Sequence, residues 1–445
     1  MKILFVQSYL GRHEPLVMPL GISYLATMVA EHEVKLIDLN ICESPYEDLS
    51  NTIKDFRPDI VCISLRNIDS QQRKELFYYY KEFPKVLNII RKTIPDTIII
   101  AGGAGFSMFA RKIMERHTEI DFGVYLEGEE VLPDLINNLS EPWKVHNLYY
   151  RKNGQVLFSR FGNLPDFKSL PIPRKDILDI ERYRKYEGAI GIQTKRGCPY
   201  KCVYCNYPML NGMKIRMREP YHVVDEIEEL VKEYGVNDFM FADGVFSSPV
   251  EHVMSICEEI KRRNIKVNWA AWCDVKDISE KFLDAVTTAG CKYIVISPDA
   301  FNDSALEGLA KGFTGKDVKR AYNLLKNRPG VRFGFGFLIN PPGETITGFF
   351  KALLFYTKAI IELKLKGKGG GGLNWIRIEP DTGIYKTALK EGIITDDTDL
   401  LPEDEKELKK LFYTNPALKF LDPIASLYMN LLRFRKIVAP RKRLQ

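Results

Sequence analysis

Short apolar runs alternate with amphipathic stretches from the start of the chain. Residues 3–7, 34–39, 60–65, 97–101 and 122–126 are apolar almost throughout, the pattern of parallel strands buried on both faces. Helical spacing fills the gaps, as at 21–30 and 70–91. This alternation predicts an α/β domain over residues 1–140, doubly wound and Rossmann-like, with ligands expected at the carboxyl ends of the strands. Those ends carry Ser64-Leu65-Arg66-Asn67, Ala101-Gly102-Gly103-Ala104-Gly105 and Glu127-Gly128-Glu129-Glu130. A tight strand-to-helix turn accounts for any one glycine pair, but three such ends on one rim point to a binding site.

Residues 141–185 break the pattern. Pro142, Pro165, Pro171 and Pro173 punctuate them, and 148–158 reads as a hairpin around Asn153-Gly154. Without glycine and serine richness this is an ordered connector. A second alternating series begins at Gly191, with strands expected at 191–196, 238–242, 267–272, 293–297, 332–340 and 373–378. Helices such as 223–234, stopped by Gly235, lie between them. Six strand–helix units predict a partial (β/α)6 barrel, also called a partial TIM barrel, over 186–395. The run 369–372, four glycines, reads as a flexible loop, and 396–445 as a helical C-terminal region.

Composition narrows the class. The chain has 445 residues, 45% hydrophobic and 27% charged, which suits two or three globular domains. Its 64 basic and 58 acidic residues leave a net charge of +6, too mild to call for a nucleic-acid partner. The longest apolar stretch, 349–363, is broken by Lys351 and Lys358, so no membrane span is expected. The opening residues have no signal-peptide layout, and a cytoplasmic location with reduced thiols is expected. In that setting eight cysteines are not a disulfide framework.

Three of those cysteines carry the chemistry. The first strand of the second series runs into Gly197-Cys198-Pro199-Tyr200-Lys201-Cys202-Val203-Tyr204-Cys205. Three thiols at this spacing can wrap one corner of a cuboidal iron–sulfur cluster, whose full ligation takes four thiolates. One iron then stays open, the mark of a catalytic site. Two other readings are a zinc site and an electron-transfer cluster completed by Cys273 or Cys291. Zinc motifs usually pair cysteines two by two, which these do not. Cys42, Cys62, Cys257, Cys273 and Cys291 sit in apolar or helical settings and read as buried small hydrophobes.

The motif and its place resemble the radical S-adenosylmethionine (SAM) superfamily over most of 186–395. The resemblance implies a 4Fe–4S cluster on Cys198, Cys202 and Cys205, with SAM bound at the open iron. It puts Tyr204 against adenine, Asp243 at the SAM ammonium, and Ser297, Asp299 and Asn340 at further SAM contacts. At Asp243 the chain departs from the Gly-Gly-Glu element common in the family. Residues 1–139 resemble the cobalamin-binding domain often fused ahead of this barrel. The clues are Pro19-Leu20-Gly21-Ile22-Ser23-Tyr24-Leu25, Asp38-Leu39-Asn40 and the decorated strand ends. The implied cobalamin contacts are Gln7, Leu20, Gly21, Asp38, Ser64, Leu65, Arg66, Asn67, Gly102, Gly103, Gly128 and Glu129. The Asp-x-His-x-x-Gly motif that gives cobalt a histidine in other cobalamin proteins is missing. Arg66 is a candidate to lie under the corrin, where a guanidinium has no electron pair to donate.

The resemblance implies a cobalamin-dependent radical SAM methyltransferase. A 5′-deoxyadenosyl radical from SAM takes a hydrogen from an unactivated carbon, and methylcobalamin supplies the methyl group. The alternatives are a cobalamin-dependent cyclisation or rearrangement, a radical SAM enzyme that has lost cobalamin, and a non-enzymatic iron–sulfur electron carrier. No general acid or base is assigned. The substrate stays open between a small molecule, a lipid and a peptide, and the reaction implies an electron donor such as a flavodoxin or ferredoxin. The segment 423–438, with Arg441-Lys442-Arg443, reads as a packed terminal helix with a solvated basic end rather than a membrane-surface helix.

Overall fold

The structure, a computed structural model, describes residues 1–11 and 16–437. The basic cluster Arg441-Lys442-Arg443 lies outside the described residues.

The first five strands are β1 (Lys2–Gln7), β2 (Glu33–Asp38), β3 (Ile60–Ser64), β4 (Ile98–Gly102) and β5 (Phe122–Val124). They pair in parallel in the order β2-β1-β3-β4-β5. Alternation along β1 explains the burial on both faces. Leu4 and Val6 join one apolar core, while Ile3 and Phe5 join another on the opposite side. The hairpin strands β6 (Leu148–Lys152) and β7 (Gln155–Phe158) add to β5 antiparallel and extend the sheet to seven strands.

In the second half β8 (Gly191–Ile192), β11 (Asp238–Phe241), β12 (Asn268–Cys273), β13 (Cys291–Asp299), β14 (Arg332–Leu338) and β15 (Gly369–Asn374) form one parallel sheet. Its order is β15-β14-β13-β12-β11-β8. The sheet is open, with β8 and β15 at its edges, so the six expected units form an unclosed barrel. Two small antiparallel pairs accompany it: β9 (Lys195–Arg196) with β10 (Arg216–Met217), and β16 (Ile376–Arg377) with β17 (Phe412–Tyr413). The larger core runs through both sheets without a break.

Three expectations need correction. The strand expected over 191–196 is two pieces, because the chain leaves the sheet after Ile192. There the Asp243 carboxylate accepts from the Thr194 amide (2.8 Å), its hydroxyl (2.6 Å) and the Lys195 amide (3.2 Å). The helix expected over 70–91 begins only at Phe83 and runs to Thr93. Pro84 has no N–H and cannot continue a helix from upstream, so 3-10 turns and extended chain bury Tyr78, Tyr79 and Tyr80 one by one. The four glycines at 369–372 are not a loop but the start of β15, in register with Phe333 to Gly336.

Candidate functional site

The cysteine loop is fixed by its backbone. Gly197 has φ +88°, and a Cβ there would lie 2.1 Å from the Lys214 carbonyl oxygen, so glycine is required just before Cys198. The Cys198 amide donates to the Gly212 carbonyl (3.0 Å) and the Cys205 amide to that of Cys202 (3.1 Å). Val203 is clamped on two sides: its amide donates to Leu309 O (3.2 Å), and its carbonyl accepts from the Ile384 amide (2.7 Å). Gly244, just past β11, lets Tyr207 of the same loop lie against it, where a Cβ would come within 2.8 Å of the ring.

The three thiols sit close enough to feel one another. Cys205 is pushed up to about 12, first by burial and then by Cys202 and Cys198. Burial also raises Cys198 and Cys202. Among the described residues no three His, Cys, Asp or Glu side chains converge on a point that would hold a single metal ion. The donor chemistry is three thiols on one loop. Cys273 and Cys291 are instead buried in the second sheet.

Beside Cys202 lies a cation that the sequence reading missed. The Lys311 ammonium pairs with Asp299 (2.5 Å) and donates to the Tyr204 hydroxyl (2.9 Å) and the Ser297 carbonyl (3.2 Å). Tyr204 in turn donates to Asp299 (2.6 Å). Lys311 is buried, yet its pKa is held well above the ordinary value by Asp299, Tyr204 and Cys202 against the opposing effect of burial. Its positive charge opposes, without overcoming, the burial that raises the neighbouring Cys202 thiol. Asp299 reaches this cluster from a break in the β13–β14 register, with φ +65°. No local pattern marked Lys311, because its partners Asp299, Ser297 and Tyr204 are 12, 14 and 107 residues away in sequence.

The carboxyl-end loops of the two sheets meet at this loop. Arg196, the residue before Gly197, is buried and pairs with Glu127 (2.9 Å) and Glu129 (2.6 Å) of the first domain, while lying over the rings of Tyr24 and Phe167. Arg216 also pairs with Glu127 (2.9 Å). Asn206, the residue after Cys205, donates to the Met108 sulfur and to Glu379 (2.7 Å each). The other oxygen of Glu379 accepts from Gln71 of the first domain (2.7 Å). Burial, then the negative charge of Asp69, raise the Glu379 carboxyl to about 7. Asp69 itself pairs with Arg377 (3.2 Å).

The residues expected from the sequence fall into two groups. Tyr204, Ser297 and Asp299 come together around Lys311. Asp243 does not join them through its carboxylate, which is buried on Thr194 and Lys195. Asn340 is also buried and turned away, donating to Asp422 (2.7 Å) of the C-terminal region. On the first domain Gln7, Ser64, Leu65, Arg66, Asn67, Gly102 and Gly103 line the ends of neighbouring strands β1, β3 and β4. Leu20 and Gly21 start the helix Leu20–Met28, with open space around Gly21. Arg66 is exposed, and its charge opposes the burial that raises Asp38. Asp38 and Glu129 are held by Tyr183 (2.5 Å) and Arg196.

The rim fits a large polar cofactor on its own evidence. The hydroxyls of Ser8, just past β1, and Ser23 are buried without a hydrogen-bond partner among the described residues, a costly state unless a ligand answers them. At Gly103, with φ +101°, a Cβ would lie 2.7 Å from Leu65 O, so the turn after β4 requires glycine. The three-thiol loop, with a buried lysine beside it and no nearby fourth thiol, fits a cluster that leaves one iron to a small amino acid-like ligand.

Comparison with known proteins agrees with this division. A family model described as the B12 binding domain matches residues 9–136, and one described as the Radical SAM superfamily matches 192–355. An uncharacterized methyltransferase of Pyrococcus horikoshii is 28% identical over 333 residues, covering 74% of this chain and 70% of the relative. An anaerobic magnesium-protoporphyrin IX monomethyl ester cyclase of Cereibacter sphaeroides is 27% identical over 297 residues, covering 63% of this chain but 46% of the relative. Among solved structures, the radical SAM methyltransferase TsrM of Kitasatospora setae, with cobalamin and a [4Fe-4S] cluster bound, superposes with a TM-score of 0.77. It is 22% identical, over 89% of this chain and 76% of that one.

Proposed function

The chain is a member of the cobalamin-dependent radical SAM superfamily and a radical SAM enzyme, and from that premise we propose that it is a C-methyltransferase acting on an unactivated carbon. The observation that carries the reading is the seam itself. The thiol loop is pinned at both ends to the cobalamin-binding domain, by Arg196 on Glu127 and Glu129 and by Asn206 through Glu379 to Gln71. A carbon held at that seam faces both cofactor sites at once. When bound, the cofactors supply a radical that removes hydrogen and a methyl group to replace it.

The protein's part is positioning. Cys198, Cys202 and Cys205 would hold the cluster, with the Lys311 charge offsetting part of the burial that raises Cys202. Tyr204, Ser297, Asp299 and Lys311 form the SAM pocket, Tyr204 giving its ring face to adenine. Asp243 and Asn340 then shape that pocket from behind. Gln7, Leu20, Gly21, Ser64, Leu65, Arg66, Asn67, Gly102, Gly103 and Gly128 hold the corrin, and Asp38 and Glu129 brace the rim they form. Domain limits of 1–140, 141–185, 186–395 and 396–445 belong to this reading. So do a small-molecule, lipid or peptide substrate, a flavodoxin- or ferredoxin-type electron donor and work in the cytoplasm.

The test is anaerobic reconstitution with iron, sulfide and hydroxocobalamin, followed by iron and cobalt analysis. The reading expects about four irons and one cobalt per chain, then S-adenosylhomocysteine and 5′-deoxyadenosine in equal amounts with substrate. Iron without cobalt removes methyl transfer, and 5′-deoxyadenosine without S-adenosylhomocysteine moves the enzyme to cyclisation or rearrangement. Cys202→Ala abolishes SAM cleavage; cleavage that survives it overturns the cluster assignment.

A further inference from the structure

We propose that the outer face of the helices Ile346–Leu365 and Asp422–Ile437 is a docking surface for an anionic lipid bilayer. The first helix is apolar on both sides. Phe349, Tyr356, Ile360 and Leu363 face the core. On the outside Phe350, Leu354, Ile361 and Leu365, spaced four, seven and four apart, are exposed, Leu354 at 72% and Leu365 at 83%. A surface helix of a water-soluble domain carries polar residues on that side, and an all-round apolar helix belongs to a core or a membrane boundary.

The second helix repeats the pattern. Ile424, Leu427 and Leu431 fall three and four apart and are all exposed, Leu427 at 62%, and Phe420 of the 3-10 turn just ahead is exposed too. The two helices are tied by the Thr357 and Tyr428 hydroxyls (2.7 Å). Single exposed leucines need no explanation, but seven large apolar side chains on two joined helices, with Phe420 just ahead of the second, make a patch that does.

Charge names the occupant. The exposed charged residues of the first helix and its end are Lys351, Lys358, Lys364 and Lys366. Lys351, Lys358 and Lys364 make no ion pair among the described residues. The helix's one acid, Glu362, is held by the Tyr322 hydroxyl (2.8 Å), Lys326 (3.1 Å) and Lys366 (3.5 Å). An apolar ridge interleaved with lysines matches the headgroup boundary of an anionic leaflet, where lysine stems lie along the acyl region and ammoniums reach phosphate. A second copy of the chain would set lysine against lysine across a self-contact. Among the described residues no helix is long and apolar enough to cross a membrane, so the contact lies in the interface. At the head of the second helix Asp422 holds Asn340 and Arg73.

The experiment is flotation of the reconstituted full chain with vesicles of phosphatidylcholine alone or mixed with phosphatidylglycerol. The chain should float with the anionic vesicles, and raised salt should weaken it. Binding should fall about tenfold or more on neutral vesicles or in the variant Lys351→Glu/Lys358→Glu/Lys364→Glu. Leu354→Glu/Leu427→Glu should abolish it with bound iron and circular dichroism unchanged, as expected for exposed positions. Wild-type chain that stays at the bottom with anionic vesicles overturns the proposal. So does a concentration-dependent dimer in light scattering that Leu354→Glu/Leu427→Glu dissolves, which would assign the face to self-association.

Discussion

Glu379 concentrates several of the forces at the seam. It is buried, joined to Gln71 and Asn206, and sits near the Asp69–Arg377 pair. Its carboxyl titrates near 7 in the fold against an ordinary 4.5. Between those values the folded chain keeps a proton that the unfolded chain has released, so stability falls as pH rises through that window. The contribution is complete below about pH 4.5 and gone above about 7, a change of about 3 kcal/mol. Glu379→Gln should remove this slope and leave the variant more stable than wild type above pH 7. Urea unfolding at a series of pH values checks it; an unchanged slope would mean Glu379 is not the titrating group. Sequence alone exposed the three cysteines, because their spacing is local. It did not expose Lys311, Glu379, Glu127, Arg196 or Arg216, whose roles come from partners far along the chain.

At the scale of elements the apolar pattern located the strands to within a few residues, since burial on both faces leaves a continuous signal. It failed where backbone geometry, not hydrophobicity, decides. Pro84 broke the helix expected over 70–91. The glycines at 369–372 lacked any apolar signal, yet they pair with β14 because the neighbouring chain comes too close for side chains. A Cβ at Gly369 would lie 2.0 Å from Phe333 O, and one at Gly371 would lie 2.6 Å from Phe335 O. Gly370 and Gly372 have nothing within 4 Å. Alanine substitution should therefore alternate in effect. Gly371→Ala should destabilise by about 2 kcal/mol or more through displaced backbone, while Gly370→Ala and Gly372→Ala should be neutral or stabilise by about 0.5 kcal/mol. Thermal melts of the three variants decide it, and equal effects at all three would contradict the paired strand.

The whole molecule depends on whether its two sheets unfold together. Their shared core and the buried ion pairs at the seam join them into one unit. Arg196 is the central link, because it carries the charge of Glu127 and Glu129 while stacking between Tyr24 and Phe167. Glu127 keeps Arg216 if Arg196 is lost, whereas Glu129 loses the one cation paired with it among the described residues. Removing one partner of a buried pair leaves an uncompensated charge, at a cost of about 3 kcal/mol. Arg196→Met should thus destabilise the chain by that order and split a single calorimetric transition into two, one per domain. Adding Glu129→Gln removes the stranded charge and should restore part of the loss, because the penalty lies in the charge rather than in the missing contact. A fully additive double variant would place the linkage elsewhere, in the apolar core that runs beneath both sheets.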